Sequence, residues 1–255
     1  MNLVIDIGNT LSKATIFDGT NLKNLFSFKN LTKEKLKILH RDYPEIKNII
    51  LSSVVGNTKE FSDFLKTNFM PSEKTKDSTF IKLSYKTKLP IENLYHSPKT
   101  LGNDRIAAAV GANAMFRNQN VLVVDAGTCI KYDFVNAKNQ YLGGGISPGI
   151  EMRFKALHQF TDKLPFIRYE LFDKLIGQNT KESVLSGVIN GVMEEVHGII
   201  SRYKKQFPNL KIIFSGGHLK FLSENNNIFV GYNILIDSFL VPKGLNNILN
   251  FNEHK

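Results

Sequence analysis

The chain has 255 residues, 42% of them hydrophobic, and a formal net charge of +10 at pH 7. No run approaches the ~18 consecutive apolar residues of a membrane helix, and no basic region of a signal peptide precedes the first apolar stretch. We therefore expect a cytoplasmic protein with no membrane partner. The single cysteine, Cys129, excludes an intramolecular disulfide, and the histidines lack the spacing of zinc ligands.

The positive charge raises the question of nucleic-acid binding, because a basic face attracts polyanions. The lysines, however, are spread among acidic and amide residues and are not gathered with aromatic side chains into a recognition stripe. We interpret them as a solvated surface and expect no nucleic-acid partner. A field that draws in small anionic substrates is the alternative.

The first half of the chain predicts the order β-β-β-α-β-α. An aliphatic strand from Leu3 ends in a turn at Gly8, and alternation or helical spacing marks the elements that follow. These are strands at 12–17 and 22–28, a helix at 32–40, a strand at 49–55 and a helix at 58–69. An alanine-rich helix is predicted at 104–116, with Asn103 or Asp104 as its cap.

The second half repeats this order. Strands are predicted at 121–125, 130–135 and 140–143, followed by helices at 150–158 and 184–203, a strand at 211–214 and a closing helix at 245–251. A polar stretch at 117–120 lacks hydrophobic periodicity and predicts the hinge between the halves.

Two matching phrases begin the two halves, Asp6-Ile7-Gly8-Asn9-Thr10 and Asp125-Ala126-Gly127-Thr128. In each, a buried strand ends in an Asp and a Gly-containing turn. Successive N–H groups of such a turn can bind a phosphate, and the Asp can hold a cation or its water shell. A single phrase of this kind is an ordinary β-turn signal, but two copies in the same context favour a duplicated nucleotide-binding clamp.

This duplicated pattern resembles the superfamily of acetate and sugar kinases, heat-shock chaperones and actin, and within it the type III pantothenate kinase family. The resemblance depends on five segments that cover almost the whole chain: the two phosphate phrases, Ser52-Ser53-Val54-Val55, Gly102-Asn103-Asp104-Arg105, and the glycine-rich run 143–149. Their combination is far more specific than any one of them.

The resemblance implies an α/β fold of two duplicated ribonuclease-H-like domains, at 1–117 and 118–255, with an ATP cleft between them. It also implies an ATP-dependent transferase that phosphorylates pantothenate to 4'-phosphopantothenate, the first step of coenzyme A biosynthesis. The expected cofactors are ATP, Mg²⁺ and a monovalent cation, K⁺ or NH₄⁺. The expected assembly is a homodimer whose substrate pocket is completed across the interface, with Thr180 as the contributing residue.

By the same resemblance, ATP is expected to bind one run of residues and one threonine of the second half: Asp6, Ile7, Gly8, Asn9, Thr10, Leu11, Ser12, Lys13 and Thr128. Asp6 is expected to act on Mg²⁺ through water, because Mg²⁺ dehydrates reluctantly. Asp125 is the expected ligand of the monovalent cation. Lys131 stands where Thr is common in the family, a departure that could alter the local electrostatics. Gly143 to Gly149 is expected to form a close-approach loop.

On the acceptor side, the resemblance implies that the substrate contacts Tyr95, Gly102, Asn103, Asp104, Arg105 and Thr180. Asp104 is the expected catalytic base, and Arg105 suits a carboxylate because guanidinium pairs with it bidentately. From the sequence alone, Asp104 could instead be only a helix cap, and Arg105 a surface arginine. Gly216-Gly217 is expected to lie on the adenine side.

Two other functions remain open from the sequence. A sugar kinase would share both phosphate phrases, but Tyr95, Arg105 and Thr180 suit a carboxylate-bearing acceptor better than a neutral sugar. A regulatory protein that binds nucleic acid is the second alternative, since some family members were first described as transcription accessory factors. The intact Asp6, Asp104, Arg105 and Asp125 favour an enzyme.

Overall fold

The computed structural model describes residues 1–56, 58–70, 78–224 and 229–253. The chain forms two compact units: unit 1 contains residues 1–117, 139–142 and 239–255, and unit 2 contains residues 118–138 and 143–238. Within the described ranges, no helix combines the length and the apolar character that a membrane span requires.

Unit 1 is built on a five-stranded sheet with the order β3-β2-β1-β4-β5. The strands are β1 (Asn2–Ile7), β2 (Ser12–Asp18), β3 (Asn21–Phe28), β4 (Asn48–Ser53) and β5 (Phe80–Lys82). β1 is antiparallel to β2 and parallel to β4. Alternate side chains of β1, such as Leu3 and Ile5, share a core with α1 (Lys33–Asp42) and α2 (Lys59–Phe69).

Two further helices of unit 1, α3 (Asn103–Met115) and α7 (Leu240–Glu253), pack closely on each other. A Cβ added to Gly244 would lie 1.8 Å from the carbonyl oxygen of Ala107, and one added to Gly111 would lie 2.6 Å from that of Leu240. The two backbones can approach this closely only because glycine stands at both crossing points. Unit 1 also contains β6 (Glu92–Asn93), which runs parallel to Gln140 and Tyr141.

Unit 2 repeats the arrangement in a second, six-stranded sheet with the order β11-β10-β7-β8-β9-β6. Its strands are β7 (Val121–Ala126), β8 (Cys129–Val135), β9 (Gln140–Pro148), β10 (Lys211–Ser215) and β11 (Ile234–Ile236). Its helices are α4 (Ile150–Gln159), α5 (Thr180–Gln206) and α6 (Leu219–Glu224). β7 is antiparallel to β8 and parallel to β10, as β1 is to β2 and β4. This repeated order confirms the predicted duplicated α/β architecture.

The predicted elements are present, with shifts at their ends. β4 stops at Ser53, two residues early, where the backbone N–H of Val54 turns to donate to the carbonyl of Ile7. The glycine-rich run was predicted to be a loop, and this is wrong for most of it because β9 continues to Pro148. α3 is preceded by Gly102 at its cap position, so that Asn103 and Asp104 lie in its first turn. The short β5, β6, β11 and α6 were not predicted.

Besides residues 1–117, compact unit 1 includes two later stretches of the chain, 139–142 and 239–255. Residues 239–253, predicted to close the second domain, pack in unit 1 because the glycine contact holds α7 on α3. The domain bounds inferred from the duplication stay a prediction, because a compact unit need not coincide with a duplicated repeat.

Candidate active site

The first phosphate turn joins β1 to β2 in unit 1. Gly8 N–H donates to the carbonyl of Leu11 over 3.1 Å, which closes the turn and leaves Asn9, Thr10 and Leu11 exposed. Asp6, half-buried at the end of β1, accepts a hydrogen bond from the hydroxyl of Ser52 over 2.9 Å. The parallel pairing of β1 with β4 places Ser52 directly opposite Asp6. The strand order thus fixes this carboxylate beside an exposed turn. Lys13 lies opposite Asp6 on β2.

The Gly102-Asn103-Asp104-Arg105 segment begins α3 and is anchored to β4. The side-chain amide of Asn103 donates to the carbonyl of Ser53 over 3.2 Å and to that of Leu83 over 3.3 Å. The half-buried Asp104 accepts at Oδ1 from the backbone N–H of Arg105 over 2.9 Å. A Cβ on Gly102 would lie 2.6 Å from that same oxygen. Glycine therefore makes room for the carboxylate in this position.

Arg105 is 5% exposed, and its guanidinium carbon lies 5.7 Å from the ring centroid of Tyr95. This distance is that of a cation–π contact. Tyr95 is held in turn by its backbone N–H, which donates to Asn93 over 3.0 Å, and by the ring of Tyr141 at 6.1 Å. In unit 1, Asp6 and Asn103 therefore bond adjacent residues of β4, Ser52 and Ser53, and Arg105 contacts both Asp104 and Tyr95.

The second phosphate turn joins β7 to β8 in unit 2. Gly127 N–H donates to the carbonyl of Cys129 over 3.0 Å and leaves Thr128 exposed. Gly149 N–H donates to the carbonyl of Thr128 over 3.0 Å, and a Cβ there would lie 2.3 Å from the carbonyl oxygen of Gly127. Gly216, with a φ of +103°, would place a Cβ 2.2 Å from the carbonyl oxygen of Ala126. Both predicted glycine segments thus approach this turn.

Asp125, the predicted cation ligand, forms an ion pair with Lys131. Lys131 Nζ lies 2.6 Å from Asp125 Oδ2, and the side chains are 16% and 11% exposed, respectively. The two residues face each other across the β7–β8 ladder. This pair was not predicted from the sequence. Counting outward from the turn by equal numbers of residues on each strand would have found it.

A network around Glu195 of α5 was also missed. Its carboxylate accepts from Tyr132 over 2.8 Å and from Ser147 over 3.0 Å, and it forms an ion pair with Arg153 of α4. Burial and the bond to Glu195 raise the pKa of the Tyr132 phenol far above its ordinary range. Burial acts to raise the pKa of Glu195, but hydrogen bonds from Arg153, Ser147 and Tyr132 outweigh it and lower that pKa. The network joins β8, β9, α4 and α5 beside the glycine-rich run.

Thr180 is exposed at the first residue of α5. Asn179 caps this helix by accepting from Glu182 N–H over 3.0 Å, and Glu182 accepts from Gln178 N–H over 2.9 Å. The backbone hydrogen bond from Gln178 lowers the pKa of Glu182. Thr180 lies in unit 2, whereas Tyr95 and Arg105 lie in unit 1, so that no single unit unites the predicted acceptor residues.

Comparison with known proteins identifies the family to which the chain is similar. The type III pantothenate kinase family matches residues 2–202. A type III pantothenate kinase from Christiangramia forsetii is 42% identical over 257 residues, which cover 99% of each chain.

Among solved structures, a conserved Baf family protein from Campylobacter jejuni, described as a transcriptional activator, has a TM-score of 0.60 at 23% identity. The alignment covers 99% of this chain and 100% of that one. A glucokinase from an Antarctic psychrotroph has a TM-score of 0.51 at 12% identity over 98% of this chain and 99% of its own. These two structures share the fold of this chain, which is all that a likeness at such low identity shows. The full-length kinase relatives show the reaction, transfer of a phosphoryl group from ATP to pantothenate, and the chain belongs to the type III pantothenate kinase family.

Proposed function

We propose that Asp104 is the base of the pantothenate kinase reaction. The observation that carries this proposal is the position of its carboxylate, half-buried in the first turn of α3 and bonded to the backbone N–H of Arg105, whose guanidinium contacts the Tyr95 ring. The pantothenate hydroxyl gives its proton to Asp104 while its oxygen bonds to the γ-phosphorus. The bond between that phosphorus and the departing ADP oxygen breaks. Such transfer depends mainly on alignment and charge compensation.

Arg105 binds the carboxylate of pantothenate in this proposal. A guanidinium group offers two parallel N–H donors to a planar anion, and the Tyr95 ring restricts its orientation. A neutral sugar offers no such anion, so this pair of residues supports pantothenate over the sugar-kinase alternative. Gly102 and Asn103 shape the same acceptor site by making room for Asp104 and by anchoring α3 to β4.

The two turns bind the phosphates of ATP. The residues from Ile7 to Lys13 act on the β- and γ-phosphates in unit 1, and Thr128 contributes its hydroxyl from unit 2. Asp6 fits a role toward Mg²⁺, because it presents a fixed carboxylate beside the exposed turn and Mg²⁺ on ATP takes most of its ligands from phosphate and water. When bound, Mg²⁺ offsets the negative charge of the phosphates.

The monovalent cation expected at Asp125 does not fit the residues around it. The carboxylate that was predicted to bind K⁺ or NH₄⁺ is already paired with the ammonium group of Lys131. No step of the proposed mechanism therefore uses a bound monovalent cation.

We also propose that the kinase is a homodimer and that Thr180 reaches the substrate pocket of the partner. Support comes from the segment before α5, where four large apolar side chains are exposed: Phe166, Leu171, Leu175 and Ile176. A patch of this kind in a folded unit marks an interaction surface, and a second copy of the chain is the most economical occupant.

ADP release by the purified protein with MgATP tests the function. We expect turnover with pantothenate and none with a panel of sugars. Turnover with a sugar but not with pantothenate would contradict the acceptor assignment. Salt-dependent binding of DNA without any ATP turnover would favour the regulatory alternative. The cytoplasmic location and the absence of a nucleic-acid partner stay predictions, which cell fractionation and the same DNA assay check.

A further inference from the structure

We infer that the ammonium group of Lys131 replaces the monovalent cation at Asp125, so that this kinase turns over without K⁺ or NH₄⁺. The inference rests on the proposed function, because its first test measures pantothenate turnover. Its basis is the position of Lys131 in the β7–β8 hairpin.

The hairpin register places the two charges together. Asp125 and Lys131 are directly opposite in the antiparallel ladder, so that their side chains project from the same face of the sheet. Lys131 Nζ lies 2.6 Å from Asp125 Oδ2, within the range of a charge-assisted hydrogen bond. Both side chains are mostly buried, at 16% and 11% exposure, and salt therefore screens this pair only weakly.

The second carboxylate oxygen also has a close neighbour. A Cβ on Gly216 would lie 2.5 Å from Asp125 Oδ1, which places the backbone of Gly216 against that oxygen. A free cation at this carboxylate would have to approach between a backbone segment and a positive charge already in contact with it. Like charges at such a distance repel each other strongly in a site shielded from water.

The lysine supplies the chemistry that the free ion would supply. Its tip carries one positive charge and three N–H donors, as a compact and hydrated point charge. It therefore resembles a bound NH₄⁺ that cannot diffuse away, because the side chain and β8 hold it beside Asp125. A cation attached in this way is present at any external salt concentration.

Turnover of the wild-type protein in buffers of equal ionic strength tests the inference. With K⁺, NH₄⁺, Na⁺ or choline as the only monovalent cation, we expect pantothenate-dependent kcat/KM to agree within about twofold. A wild-type enzyme that needs K⁺ or NH₄⁺ for turnover would overturn the inference.

The variant Lys131→Ala should make turnover depend on K⁺ or NH₄⁺. We expect it to lose at least about tenfold in kcat/KM in Na⁺ or choline, and to recover in NH₄⁺ or K⁺. Equal activity of this variant in all four buffers would also count against the inference. If the alanine variant does not fold, the same measurements are made on Lys131→Met, which keeps most of the apolar stem of the side chain. The matched control is Lys23→Ala, which removes the lysine of an exposed Lys–Asp pair at 3.5 Å and should show no dependence on the cation.

Thermal unfolding gives a reading that does not depend on catalysis. K⁺ that binds the folded Lys131→Ala protein should raise its Tm relative to Na⁺, whereas the wild-type Tm should not change between the two salts. A K⁺-specific rise in the wild-type Tm would contradict the inference. If the wild type shows no pantothenate turnover in any buffer, the proposed function fails, and the Tm comparison still decides whether Lys131 excludes the cation.

Discussion

The two phosphate turns come from the same duplicated hairpin, yet their aspartates have different partners. In unit 1, Asp6 accepts from the neutral hydroxyl of Ser52 on the neighbouring parallel strand. In unit 2, Asp125 pairs with the cationic Lys131 on the antiparallel strand. A lysine lies opposite the aspartate in both ladders, Lys13 opposite Asp6 and Lys131 opposite Asp125. Equivalent positions of a duplicated hairpin can therefore differ in the contacts of the aspartate even where the residue across the ladder is of the same type.

The proposed catalytic base lies in unit 1, and the largest expected effect is that of replacing it. Asp104 of unit 1 is the proposed base, and Asp104→Asn should lower kcat by about 10²–10⁴-fold because an amide cannot accept the proton. Steady-state ADP release measures the loss, and circular dichroism confirms that the fold is retained. The control Asp63→Asn, on the exposed face of α2, should keep wild-type turnover. A fully active Asp104→Asn would remove the assigned base.

Replacing the aspartate that pairs with a lysine should cost more stability than replacing the aspartate that accepts from a serine. Asp125→Asn leaves a mostly buried ammonium without its counter-charge and should lower the free energy of unfolding by about 3 kcal/mol. Asp6→Asn keeps an acceptor for Ser52 and should cost about 1 kcal/mol. Urea unfolding at neutral pH compares them. Equal losses would mean that the ion pair is no more important than the hydroxyl contact.

The stability of unit 2 should also decrease in acid because of Glu195. Although burial acts to raise it, hydrogen bonds from Arg153, Ser147 and Tyr132 lower the pKa of Glu195 below its ordinary value of 4.5. The stability that this carboxylate supplies is therefore present above pH 4.5 and is lost as the pH falls through the folded pKa. We expect Glu195→Gln to be about 2 kcal/mol less stable than the wild type at pH 7, because charged hydrogen bonds are lost. The gap should begin to shrink as the pH falls below 4.5, where the unfolded chain takes up the proton, and should close as the pH falls through the lower folded pKa. A gap that stays constant with pH would contradict the assigned cause.

The smallest expected effect is on self-association through the exposed apolar segment before α5. Ile176→Asp, in the apolar segment of unit 2, should weaken self-association by about tenfold, which corresponds to about 1.4 kcal/mol. Sedimentation over a range of concentrations measures the dimer dissociation constant. Ile38→Asp, at an exposed isoleucine on α1 of unit 1, is the control and should leave the constant unchanged. Equal weakening by both variants would argue against the segment as the interface.

The sequence predicted the longer elements because their hydrophobic patterns are strong, as in α5 and in the strands on either side of each turn. Short edge strands such as β11 carry too few residues for a pattern, and partners distant in the chain define them. β9 was cut short because glycines usually mark loops, whereas here Gly144 allows close contact with the carbonyl of Tyr132.

The site was predicted by residue type but not by geometry. Asp104 and Arg105 stood out as a motif, yet nothing local shows that Asn103 fastens them to β4, because the bonds reach residues 50 and 20 positions away. Lys131 was noted as a departure from the family. Its role became apparent only through the ladder register, which converts separation along the chain into contact across it.

The glycine contact between α3 and α7 bears on the order in which the chain becomes able to fold during synthesis. Unit 1 contains the earliest residues, yet α3 gains its cover only when residues 240–253 have been made. Unit 2 begins later but has all its residues by position 238. On the ribosome, the later unit can therefore be completed first, and the helix that carries Asp104 and Arg105 is the last part of the enzyme to be enclosed.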